Sequence, residues 1–224
     1  DIVLVPRNVR FILAALVFWE LGLLCAYGGW IGTYVETFDL QSRHNQPFTV
    51  DDAESAAAEI IAVFYGAQIV GSILSVPVSV IVSTSALLRC QLMLAVLAGL
   101  LMCVPHSVYS SVEWLLMMTG AQAGLMGLAL GCMYPLIMTV VNDYGATMTS
   151  SSTIAVVLGG CIGEATAPFL VSLAIARFGP EAFVVCIGAL IVALVLNYAA
   201  LHVYLKAIPA APHEEREEYS EVGN

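Results

Sequence analysis

Two acids stand where hydrocarbon is expected. Glu20 lies inside an apolar run from Phe11 to Val35, and Glu164 inside another that reads Gly159-Gly160-Cys161-Ile162-Gly163-Glu164, with Pro168 one turn later. A carboxyl at that depth is expensive and rarely retained without a task. No Lys or Arg of this chain stands near Glu164, so it must be protonated, face water, bind a cation or pair with a base outside the chain. At about 100° per residue, Tyr27 falls about 20° from Glu20, Tyr34 about 40° and Trp30 about 80°. One helix face thus carries an acid and three aromatics with polar edges. Gly22, Gly28, Gly29 and Gly32 thin the same helix, so that another backbone or a ligand can come close.

A second polar stripe supports the first. Tyr65, Gln68, Ser72, Ser75 and Ser79 fall within about 80° of one another on a wheel, and such a stripe faces protein or a water-filled cavity rather than lipid. Gln122 adds an amide further along. The solute-binding candidates are therefore Glu20, Tyr27, Trp30, Tyr34, Tyr65, Gln68 and Gln122, and the ion-coupling candidates are Glu164 and Glu20. Aromatic faces beside amide and carboxyl groups suit a sugar, whose ring stacks and whose hydroxyls are hydrogen-bonded. The plainer alternatives are a neutral acid hydrogen-bonded to a neighbouring helix, and serines that simply allow helices to pack. Gly120, Gly124, Gly127 and Gly131 form a small-residue seam of that kind, followed by Tyr134-Pro135, where the missing N–H kinks a helix.

The elements that must hold these residues are membrane spans. Hydrophobic residues make up 60% and charged residues 11% of the 224, and the apolar runs are long rather than alternating, so the expected fold is an all-α integral membrane protein. The net charge of −10 is concentrated: Glu36, Asp39, Asp51, Asp52 and Glu54 cluster in the first connection, and Glu214, Glu215 and Glu217 in the tail. Seven basic residues form no patch, which excludes nucleic-acid binding. The six cysteines (25, 90, 103, 132, 161 and 186) have no metal-ligand spacing and read as free packing residues. His202 is expected at the membrane interface, and His44, His106 and His213 in loops or the tail. No nucleophile–base pair, Walker loop or Gly-x-Ser-x-Gly is present, so neither enzyme activity, metal nor cofactor is expected.

Six spans can be drawn, roughly 11–35, 56–83, 88–104, 114–142, 148–176 and 181–206, making one domain over 1–206. A Pro- and Glu-rich tail over 207–224 is expected to be disordered and cytosolic, and Tyr219-Ser-Glu-Val222 fits a short sorting pattern. Arg7, Arg10, Arg89, Lys206 and Arg216 fall on one side, Arg43 and Arg177 on the other. The excess places both termini in the cytosol, with the plasma membrane as the default location. The chain opens at Asp1 without a Met or a signal-peptide pattern, so a piece or processed half of something longer is expected. Spans one to three and four to six form two triplets of similar lengths, the pattern an inverted repeat would leave.

The stretch FWELGLLCAYGGWIGTY resembles the seventh helix of major facilitator transporters of the fucose-permease and sodium-dependent glucose transporter branch. Gly22, Gly28, Gly29, Trp30, Ile31 and Tyr34 match that pattern. The family's acid falls at Leu24, and Glu20 stands about one turn earlier. Tyr65-Gly-Ala through Gly71 to Pro77 is similar to the eighth helix, with Ser72 where an Arg often follows. AGLMGLALGCMYPLIMTV is similar to the tenth, and Gly163-Glu164 with Pro168 and the Gly179-Pro180 turn to the eleventh. The resemblance implies the C-terminal six-helix half of a twelve-helix bundle built as a 3+3 inverted repeat, whose partners are the N-terminal half, the bilayer, a sugar-like solute and a proton or sodium ion. It implies that spans one, two, four and five line a cavity, that spans three and six face lipid, and that transport is by alternating access. The competing expectation is a non-transporting six-span scaffold that binds a partner.

Overall fold

A computed structural model describes residues 3–39, 50–104 and 112–206. Its helices are α1 (Arg7–Tyr34, continued by a π-helical turn Val35–Asp39), α2 (Val50–Ile81), α3 (Thr84–Met102), α4 (Val112–Leu130), α5 (Met133–Thr139, closed by a 3-10 turn Val140–Tyr144), α6 (Ser150–Phe178) and α7 (Ala182–Lys206). Among the described residues, six segments are long and apolar enough to cross a membrane, α4 and α5 together making one of them. The chain is an all-α integral membrane protein. Arg43, Pro47, His44, His106 and the tail with His213, Arg216 and the Tyr219 pattern lie outside the described residues. A two-residue parallel bridge between β1 (Val3–Leu4) and β2 (Ala146–Thr147) is the one extended element among them.

The apolar pattern is turned outward as much as inward, as hydrocarbon solvent allows. Val80 and Ile81 of α2, Phe169 of α6 and Val185 of α7 are largely exposed. The interior is held by close backbone approach. A Cβ on Gly163 of α6 would stand 2.8 Å and 2.9 Å from backbone carbons of Phe18 on α1. One on Gly131, just past α4, would stand 3.1 Å and 3.2 Å from those of Gln68 on α2. Only glycine lets the helices meet at that distance. The glycine seam of the fourth span therefore serves α2, through Gly127 and Gly131, while Gly120 meets nothing. The four most extensive helix pairings are α1–α6, α2–α4, α1–α7 and α3–α4.

Two expectations on the elements change. Helix α2 starts at Val50, so Asp52 and Glu54 ride its first turns instead of a loop, where acids suit the helix dipole. The fourth span is broken rather than kinked: α4 ends at Leu130 and α5 begins at Met133. Pro135 has no N–H for the carbonyl of Gly131, and in the first turn of a new helix that loss costs little. The orphaned carbonyls find side chains instead. Ser72 donates to the Gly131 carbonyl. With its amide oriented to satisfy both ends, the buried Gln91 of α3 donates to the carbonyls of Leu128 (2.8 Å) and Ala129.

One end of the bundle is tied by polar contacts. Asp143 accepts from the Ser85 N–H at 2.8 Å, the Tyr198 hydroxyl donates to the Ser85 carbonyl at 3.3 Å, and Tyr144 meets His202 Nδ1 at 3.0 Å. Arg10 reaches Ser151 at the same end, at 3.5 Å. Helix α6 opens there with Thr149 accepting from the Ser152 N–H, and it closes at the other end on Gly179, whose φ of 90° suits a residue without a side chain.

Candidate functional site

Helix α1 buries Leu13, Leu16, Val17, Glu20, Leu23, Tyr27, Ile31 and Tyr34, a stripe with the three- and four-residue spacing of one face. Glu20 occupies a slot in that stripe that Leu or Ile would otherwise fill. It is fully buried, and neither carboxyl oxygen has a hydrogen-bond partner among the described residues. A buried acceptor left without a donor is costly, so the position is not a packing solution.

What faces Glu20 is a cavity of about 400 Å³ where α1, α2, the α4–α5 break and α6 converge. Its polar wall consists of Glu20, Gln68, Tyr134, Cys161 and Glu164, and its apolar wall includes Leu24, Leu130 and Val157. The break supplies part of the room, because Gly131, Tyr134 and Pro135 form one side. Glu164 is exposed, in contrast to Glu20, and each carboxyl lies within the other's electrostatic reach. Pro168 leaves the backbone carbonyl of Glu164 without its intrahelical donor.

The structure thus brings together three of the sequence candidates, Glu20, Gln68 and Glu164, from three helices. It sends the others elsewhere. Tyr27 is fully buried against Phe64 (ring centroids 4.9 Å) and Phe183 (6.0 Å), and Tyr34 packs on Phe183 at 5.0 Å. The Tyr27 hydroxyl lies beside the Gln122 amide, without a well-formed hydrogen bond to it. Gln122 is buried and borders a separate void of about 20 Å³ with Tyr34 and Thr119, room for one water. These residues form an aromatic and polar core cluster nearer the other end of the bundle. Trp30 donates its indole N–H to the Pro168 carbonyl at 3.2 Å and so ties α1 to α6. Tyr65 is half exposed and its hydroxyl fills the space over Gly28.

The single solute-binding face expected on α1 is therefore divided. Glu20 faces the cavity, Tyr27 and Tyr34 the core, and Trp30 its neighbour α6. The polar stripe on α2 divides likewise: Gln68 lines the cavity and Ser72 supports the helix break, whereas Ser75 and Ser79 donate back into their own helix. Two residues of the wall escaped the sequence reading as site residues. Tyr134 was marked by its proline only as a bend, and Cys161, read as a packing residue, is exposed into the cavity. All six cysteines are free thiols.

Chemically the arrangement offers two carboxyls, an amide and a phenol facing one volume, with no basic side chain in its wall. Such a set can share a proton between two acids, hold a monovalent cation, and hydrogen-bond a polyhydroxyl solute. No protein-family model and no curated protein matches the chain.

Proposed function

We propose that the chain is the C-terminal six-helix half of a secondary transporter of the major facilitator type, moving a small polar, sugar-like solute by alternating access. The observation that carries this reading is the cavity at the centre of four helices, walled by Glu20, Gln68, Tyr134 and Glu164. Intramembrane acids facing a common cavity belong to ion and solute pathways more than to packing. In this reading Glu164, exposed and without a basic partner in the wall, takes up the coupling proton or sodium ion. Gln68, Tyr134 and Glu20 hydrogen-bond the solute. Both termini lie in the cytosol, and the plasma membrane is the site of action.

The helix pairings support the inverted repeat. Exchanging α1 with α4–α5, α2 with α6 and α3 with α7 turns the α1–α6 pairing into α4–α2 and the α1–α7 pairing into α4–α3. The four most extensive pairings therefore map onto one another, which is the behaviour of two triplets related by a two-fold axis. The α4–α5 break, with its backbone carbonyls facing neighbouring side chains, also belongs to the discontinuous spans from which transporter sites are built.

Uptake of a panel of radiolabelled sugars into proteoliposomes holding the full-length transporter, with and without proton and sodium gradients, tests the proposal. Glu164→Gln should abolish accumulation against a gradient and retain downhill exchange. A transported solute should also protect Cys161 from a water-soluble thiol reagent. Accumulation unchanged in Glu164→Gln would remove Glu164 from coupling, and a Cys161 that no solute protects would remove the cavity from the pathway.

A further inference from the structure

Outside the bundle, α3 and α7 leave an apolar trough between them. Its first part, about 420 Å³, is lined by Leu92, Val96, Leu97, Leu100 and Val195, with Arg89 and Tyr198 at one end. A second part of about 350 Å³ continues it past Gly99 and Gly188, sharing Val96, Leu100 and Val195. From Arg89 to Leu100 the helix rises about 16 Å, close to one leaflet of a hydrocarbon core roughly 30 Å thick. That first part of the trough is the length of one acyl chain in one leaflet.

Charge says which lipid. Arg89 is exposed, and its Nε donates to the Ser85 carbonyl at 3.2 Å. No carboxylate among the described residues pairs with it. Asp143, an acid at the same end, is held by the Ser85 N–H and keeps its charge, so the two cations Arg89 and Lys206 outnumber it by one among the described residues there. Lys206, the last residue of α7, is exposed there as well, and both cations act on His202 between them. A long basic side chain at a helix end places its charge at headgroup level while its stem stays on apolar surface. An apolar trough ending in an exposed Arg89 that no carboxylate among the described residues pairs with complements an anionic headgroup carrying one long chain.

We propose that the α3–α7 trough is a binding site for an anionic phospholipid of the leaflet at the Arg89 end, one acyl chain lying along Val96 and Leu100 and the phosphate meeting Arg89. The second acyl chain stays in the bilayer. Each basic residue near an anionic headgroup contributes about 1 kcal/mol, which corresponds to roughly a fivefold preference.

Native mass spectrometry of the full chain purified in detergent tests this, by titrating palmitoyl-oleoyl phosphatidylglycerol against phosphatidylcholine with the same chains. The wild type should retain the anionic lipid at least about fivefold more tightly. Arg89→Gln, an exposed change, should erase most of that preference while leaving weak binding of both lipids. Val96→Phe should weaken both by filling the trough. Equal retention of the two lipids by the wild type would overturn the proposal, as would an unchanged preference in Arg89→Gln. A protein dimer that forms in place of the lipid complex and is lost in Val96→Phe would also overturn it, by showing that a second copy covers this face.

Discussion

Replacing Glu20 with Leu should make the protein more stable, which is an unusual expectation for removing a residue from the centre of a bundle. The side chain is fully buried and both oxygens lack a hydrogen-bond partner among the described residues. Leaving one buried polar group unsatisfied costs about 1–3 kcal/mol. Leu is similar in size, fits the stripe of Leu16, Val17 and Leu23, and removes that cost without opening a void. A gain of about 2 kcal/mol is expected, or a rise in Tm of roughly 4–8 °C for a chain of this length. Glu20→Gln keeps an unpartnered polar head and should stay within about 0.5 kcal/mol of the wild type. Glu164 is exposed, so Glu164→Leu should bring no comparable gain. Thermal unfolding in detergent can be followed with a fluorogenic thiol dye once the five other cysteines are replaced, because Cys132 is buried at the helix break and reacts only as the bundle opens. A Tm that falls in Glu20→Leu would refute the reasoning, since it would mean the carboxyl is a structural tie. A Tm that rises while transport is lost would show an acid kept at the expense of stability for function.

Two further outcomes follow from packing and charge. Gly163→Val should destabilise by about 3 kcal/mol, because the added atoms meet Phe18 backbone that cannot yield, whereas Gly188→Val, with nothing within 4 Å of the new Cβ, should be near neutral; equal effects in the same thermal assay would mean that α1 and α6 are not in close contact. With native cysteines replaced, a cysteine at the exposed Glu181 should be labelled by an impermeant maleimide in intact cells and one at the exposed Ser83 should not; the reverse pattern would invert the orientation drawn from Arg7, Arg10, Arg89 and Lys206.

Much of the architecture was legible because membrane physics writes itself into composition. Long apolar runs cannot be strands or loops in hydrocarbon, since every backbone polar group must be satisfied within the segment. The Thr149 cap and the Gly179-Pro180 turn mark the limits of α6 for local reasons. The depth of Glu20 and Glu164 was readable in the same way, by counting residues from the ends of a run. Pro135 announced a disturbance, because a missing N–H is a property of the residue itself.

What stands opposite each side chain was decided only by tertiary structure. A helical wheel placed Glu20, Tyr27 and Tyr34 on one face, and they are all buried. Yet a face about 20 Å long passes different neighbours as it crosses the bundle. At the level of Glu20 it meets the α4–α5 break, where Gly131, Tyr134 and Pro135 leave a cavity; at Tyr27 and Tyr34 it meets Phe64 and Phe183 and closes into core. Angle around a helix follows from local geometry, but what lies at that angle depends on segments more than 100 residues apart, as Trp30 and Pro168 are. At the break itself, Ser72 and Gln91, on two other helices, supply donors to its carbonyls. Local chemistry set which groups needed partners, and the crossing of distant helices decided that Glu20 would border the cavity with its carboxyl unpartnered among the described residues.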